Sequence, residues 1–290
     1  MYDKILLPVD DTTGNAEVLH HAAEIATYLD SEIRLLHVAD TEQHSVTLTD
    51  QGVVDGLVGR GEGIVADAGE TLETLDVEYS TDIVQGVPAE TIVEYATEFG
   101  YDLIVMPTHG REGLSRYLLG SVTEKVVRLA DVPVLTARMQ GEDTFVFPYE
   151  RILVPTDGSD PAERAGEHAL ALAERTDAAI HLLSVAEVPS VGPDMQSMMT
   201  DEEFQRAERA AVEAIASRAA ERGVEVTTHV ETGAVDEGIL TAIDEHDCQA
   251  VVMGTTGRRG VDRVLLGSVA EKTVRSAPVP VVTVRGDREA

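Results

Sequence analysis

The stretch Val251-Val252-Met253-Gly254-Thr255-Thr256-Gly257-Arg258-Arg259-Gly260-Val261-Asp262-Arg263-Val264-Leu265-Leu266-Gly267-Ser268-Val269-Ala270-Glu271-Lys272 decides how this 290-residue chain is read. An apolar run of strand length opens into a glycine-punctuated loop, which closes on Gly267-Ser268 where a helical pattern begins. A helix start leaves N–H groups without intrahelical partners and carries partial positive charge, so it favours an anion. Glycine brings main-chain N–H groups close to such an anion with no Cβ in the way. The layout predicts a phosphate cradle on Gly254, Gly257, Gly267 and Ser268. Ser268-x-x-Glu271 also reads as a capping box, which would stabilise the helix without a ligand, and the two roles can coexist.

Working outward, the chain is one unit written twice. Ile5-Leu6-Leu7-Pro8-Val9-Asp10 returns as Ile152-Leu153-Val154-Pro155-Thr156-Asp157, and Gly110, Gly120, Lys125 and Pro133 return at Gly257, Gly267, Lys272 and Pro280, all offset by 147. The boundaries expected are a first domain over 1–138, a linker over 139–149 that reads as a spacer, and a second domain over 150–285. In the first unit, helices are expected at Ala16–Leu29, Gly63–Leu75, Ala89–Phe99 and Ser121–Leu129. Strands are expected at Glu32–Val38, Val77–Val84, Leu103–Met106 and Val132–Ala137, after the opening one. Strands alternating with helices imply two doubly wound five-stranded parallel sheets, each covered on both faces. Ligands of such sheets bind beyond the carboxyl ends of the strands, where Asp157, Val185 and Gly254 converge.

Composition narrows the function classes. Acidic residues number 53 against 22 basic, a formal charge of −31, which repels nucleic acid and anionic membranes. Only Lys4, Lys125 and Lys272 are lysines, and the carboxylates are spread along the chain, as suits a cytoplasm of high salt in a halophile. Cys248 is the single cysteine, which excludes an intrachain disulfide. It precedes an apolar strand and is expected to be a buried small hydrophobe. With no leader-like or membrane-length apolar run, the expectation is a soluble cytoplasmic protein.

The spacing Gly254-x-x-Gly257-x9-Gly267-Ser268, between a strand and a helix, resembles the nucleotide-binding loop of the universal stress protein family. The resemblance implies a Rossmann-like, adenine nucleotide alpha hydrolase-like fold that binds ATP, ADP or AMP. It places Asp157 and Val185 near adenine and ribose, and Gly254, Gly257, Gly267 and Ser268 around the phosphates; Pro155, Thr156, Arg258 and Val269 are read as further site residues, and Asp157 as a candidate holder of magnesium. In the first unit the matching positions are Asp10, Val38, Gly110, Gly120 and Ser121. Family members dimerise through the last strand. The apolar Val132–Thr136 and Val279–Thr283 are therefore expected to pair within one chain as an internal pseudo-dimer, with a homodimer also open.

The first unit departs from the pattern. Pro107 stands where the second has Gly254 and offers no N–H, and Asp10-Asp11-Thr12 replaces Asp157-Gly158-Ser159, adding a carboxylate. Weaker or absent binding is expected there, although Ser121-x-x-Glu124 repeats the capping box. Arg258, Arg259 and Arg263 are candidate phosphate donors or partners of nearby carboxylates, and His109 reads as a loop histidine. Three function classes follow: a nucleotide-sensing stress module, a slow ATP hydrolase or phosphotransferase, and an interaction module without nucleotide. The enzymatic class is disfavoured because the loop lacks the Gly-Lys-Ser/Thr end of a P-loop.

Overall fold

Runs such as Ile5-Leu6-Leu7 and Ile152-Leu153-Val154 have no polar alternation because both faces of their strands are covered; each of these residues is at most 2% exposed. The computed structural model describes residues 1–11, 16–41, 53–108, 119–138, 145–187, 205–256 and 266–285, and the side chains of these except 53–58. The chain divides into a first unit, Met1–Pro148, and a second, Tyr149–Ala290.

The first unit runs β1 (Lys4–Pro8), α1 (Ala16–Leu29), β2 (Glu32–Asp40), α2 (Val53–Thr74), β3 (Tyr79–Gly86), α3 (Pro88–Glu98), β4 (Leu103–Pro107), α4 (Ser121–Leu129) and β5 (Val134–Ala137). The second runs β6 (Arg151–Pro155), α5 (Asp160–Thr176), β7 (Ala179–Ala186), α6 (Arg206–Arg222), β8 (Val226–Thr232), α7 (Val235–Glu245), β9 (Ala250–Gly254), α8 (Ser268–Ser276) and β10 (Val281–Val284). Strand order is β3-β2-β1-β4-β5 in the first unit and β8-β7-β6-β9-β10 in the second, all parallel. The register copies with the repeat, Ile5 pairing Ile33 and Leu103 as Ile152 pairs Ile180 and Ala250. The order reverses between β1 and β4, and between β6 and β9, so each sheet has its crevice at those carboxyl ends.

Two expectations are corrected. Helix α2 starts at Val53, ten residues before the expected Gly63. Two of its glycines are set by packing: a Cβ on Gly61 would lie 2.8 Å from the His37 ring, and one on Gly69 would overlap Tyr79, whereas Gly59 and Gly63 meet nothing within 4 Å. Close approach of the helix to the sheet outweighs the roughly 1 kcal/mol cost of a glycine in a helix. The end of the expected spacer is also packed. Phe147 is buried, its N–H donates to Glu24 at 3.3 Å, and its ring meets His21 and Tyr28 edge-on. Cys248 is buried as expected, and burial pushes its thiol up to about 11. No helix among the described residues is long and apolar enough to cross a membrane.

Candidate functional site

In the second unit β6, β7 and β9 end on one rim, and α8 starts beside it. Pro155, Thr156, Asp157, Val185, Gly254, Gly267, Ser268 and Val269 all line a single cavity of about 370 Å³. Gly257 and Arg258, with Arg259 and Arg263, lie outside the described residues. Its lining includes the buried apolar Leu183, Ile239 and Met253 and the carboxylates Asp157, Glu187 and Glu208.

The loop geometry corrects the reading of the helix start. Gly267, at φ −63° and ψ 144°, is the cap residue of α8; Ser268 is its first helical residue, and no side chain closes a capping box. The Gly267 carbonyl accepts from Glu271 N–H at 2.9 Å, while Gly267 N–H donates to the Thr255 carbonyl at 2.8 Å. The Gly267 amide is therefore occupied. The N–H groups of Ser268, Val269 and Ala270 have no intrahelical acceptor, and these three residues line the cavity. Glu271 bonds instead to Arg275, one turn on.

Gly254 has a packing role at the strand end. A Cβ there would lie 2.8 Å from the main-chain carbonyl carbon of Pro161, so the bare glycine admits the first turn of α5. The turn before that helix is closed by Asp157, whose Oδ1 accepts from Ser159 N–H at 3.0 Å and from Ser159 Oγ at 2.5 Å. Thr156 is buried, and its Oγ1 accepts from Gly158 N–H at 3.2 Å, with Gly158 at φ 71°. Sequence reasoning missed Glu208. It projects from α6, and its Oε2 is shielded from solvent without a hydrogen-bond partner, an acceptor available to a donor in the cavity.

The first unit builds a matching cavity of about 360 Å³, lined by Asp10, Val38, Gly120 and Ser121; Gly110 and His109 lie outside the described residues. Gly120 caps α4 and donates to the Thr108 carbonyl at 2.8 Å, so Ser121 and Glu124 form no capping box either. Room does not distinguish the two cavities, but charge does. Arg60 from α2 enters the first cavity and pairs with Asp11, which offsets the carboxylate added by that turn. Thr123 Oγ1 donates to the Pro107 carbonyl at 2.9 Å, a contact that Ala270 in the matching position cannot make.

The model of the universal stress protein family matches residues 1–138 and again 148–285. The chain belongs to the universal stress protein family. Among its relatives is a universal stress protein of Mycolicibacterium smegmatis, 27% identical over 295 residues, covering 97% of this chain and 96% of that one. A universal stress protein of Methanocaldococcus jannaschii is 36% identical over 142 residues, 48% of this chain and 83% of that one. The crystal structure of a universal stress protein from Archaeoglobus fulgidus superposes with a TM-score of 0.78 at 24% identity, covering 98% of this chain and 99% of that one. The fold is that of tandem universal stress protein domains.

Proposed function

We propose that the second unit of this universal stress protein binds ATP or a related adenine nucleotide, ADP or AMP. The protein would then act as a nucleotide-sensing stress module in a salt-rich cytoplasm. The observation that carries the reading is the row of three helix-start amides, Ser268, Val269 and Ala270, in the wall of the cavity that also holds Asp157 and Val185. Such amides suit phosphate oxygens. The apolar part of the lining suits an adenine ring, Glu208 suits a ribose hydroxyl or the exocyclic amine, and Asp157 is the carboxylate offered to accompanying magnesium. The cavity lies within the size range of small-molecule sites. Sensing follows from mass action, because a ligand held only by the folded state stabilises it. The first unit is the weaker site in this reading, since Pro107 offers no N–H and the Asp11–Arg60 pair stands in its cavity.

Equilibrium dialysis of the full chain against magnesium ATP in molar salt tests the proposal. Saturable binding that is lost on altering the second unit supports it; no saturable binding by the folded chain overturns it. Turnover is a separate question, answered by phosphate release from wild type and Asp157→Ala. Equal release from both removes the hydrolase reading.

A further inference from the structure

Three histidines of the second unit, remote from one another in sequence, come together in the fold. His181 lies in the middle of β7, His229 in the middle of the edge strand β8, and His246 directly follows α7. One ring nitrogen from each lies within 4.8 Å of the other two, and His181 Nδ1 is 3.1 Å from His229 Nε2. The rings are stacked, with centroids 4.1 to 5.3 Å apart. All three are half-buried, open enough for an ion to enter and enclosed enough to hold a fixed geometry.

The repeat explains why this placement is more than a polar patch. Subtracting 147 takes His181, His229 and His246 to Arg34, Asp82 and Phe99. The first unit fills the same place with an ion pair, Arg34 Nη1 donating to Asp82 Oδ2 at 2.7 Å, with the Tyr95 hydroxyl on the same carboxylate and its ring against Phe99. The second unit has instead three nitrogen bases facing each other. At 3.1 Å, His181 Nδ1 and His229 Nε2 can share one hydrogen bond, and a ring nitrogen of His246 lies within 4.8 Å of both, so three ring nitrogens stand around one point. A cation at the centre of the three nitrogens would satisfy one lone pair on each.

We propose that His181, His229 and His246 form a binding site for a divalent transition metal, zinc by preference, with copper and nickel as chemical alternatives. Imidazole suits these ions, and three protein nitrogens with a fourth position open to water is a common zinc arrangement. Zinc–nitrogen bonds of about 2.0–2.1 Å put tetrahedral ligand nitrogens about 3.4 Å apart. The closest pair, at 3.1 Å, is within about 0.3 Å of that, and the others, at most 4.8 Å apart, must close by no more than about 1.4 Å, within reach of ring rotations. The site is separate from the nucleotide cavity: His181 lies four residues before Val185, about 13 Å along the strand.

The test uses the full chain without nucleotide and zinc chloride alone, in competition with a chromophoric chelator. One zinc per chain is expected, and copper(II) in its place should give an electron paramagnetic resonance spectrum with hyperfine coupling to three nitrogens. His246→Ala, altered just beyond a helix end, should lower zinc affinity at least about a hundredfold, more than loss of an outer-shell partner does. His20→Ala, an exposed histidine on α1, should leave it unchanged. Binding that is not saturable at one equivalent, that persists in His246→Ala, or that shows fewer than three nitrogens overturns the proposal. His229→Ala gives an independent second reading on the edge strand.

Discussion

The main-chain N–H of Gly267 is bonded to the carbonyl of Thr255 at 2.8 Å, so the glycine at the loop's end ties the loop to itself, and the amides without an intrahelical acceptor that line the cavity are those of the next three residues. The first unit makes the same closure from Gly120 to Thr108 at 2.8 Å. Ser268→Pro therefore removes one amide donor at a position where proline suits a helix, and Gly267 already has the extended backbone a following proline requires. We expect roughly tenfold weaker ATP binding, about 1.4 kcal/mol, with an unchanged melting temperature. Ser268→Ala keeps the amide and should bind within a factor of about three of wild type. Calorimetric titration of both variants checks this, and equal affinities would show that the amide is not used.

Gly254→Ala places a methyl group against the carbonyl carbon of Pro161, a rigid main-chain neighbour. Overpacking of this kind costs about 1–3 kcal/mol. Thermal unfolding should report the loss with no nucleotide present, whereas a glycine needed only for ligand approach would leave the melt unaltered.

Desolvation of His168 on α5 holds its pKa down at about 4, below the ordinary 6.5. The unfolded chain then binds the extra proton first. The stability due to the neutral ring is complete above about pH 6.5 and is lost as pH falls from there toward 4, by at most about 3 kcal/mol. His168→Asn should flatten this part of the stability profile relative to wild type, as measured by denaturant unfolding at intervals between pH 7 and 4.

Cys248, with its thiol raised to about 11, should resist a disulfide reagent at pH 8 while the chain is folded and react with one equivalent in denaturant. Fast reaction in the native state would place the sulfur at the surface.

ATP is polyanionic, and the second cavity is lined by the carboxylates Asp157, Glu187 and Glu208 on a chain of formal charge −31. Screening over about 3 Å at 1 M salt should strengthen binding relative to dilute buffer, provided the chain remains folded in both. Dialysis across a salt series reads this directly, and affinity that falls as salt rises would contradict it.

The sheet was legible in the sequence because strands buried on both faces leave apolar runs such as Leu103-Ile104-Val105, and because the offset of 147 makes each unit a check on the other. The cavity was legible wherever its residues sit at strand ends, as Asp157, Val185 and Gly254 do. The cap was misread because Gly267 and Ser268 are adjacent, and nothing local says which of them turns the chain. Glu208 was hidden for another reason: its helix reaches the cavity through packing on β7 and β8, which no local pattern encodes. His181, His229 and His246, spaced 48 and 17 residues apart, match no ligand motif, and comparison with Arg34, Asp82 and Phe99 gives them meaning only once the strands are paired.

Helix α7 contributes Val235 and Ile239 to the cavity wall at one end and is followed by His246 at the other. Its eleven residues act as a single strut, braced against β7 where Gly238 leaves only 3.0 Å between a would-be Cβ and Val185. If the proposed metal and the proposed nucleotide both bind, this helix is the element that lies between them, and linkage requires any coupling to run equally in both directions. A cell's free metal and its nucleotide pool would then be read by one element, through the stiffness of eleven residues.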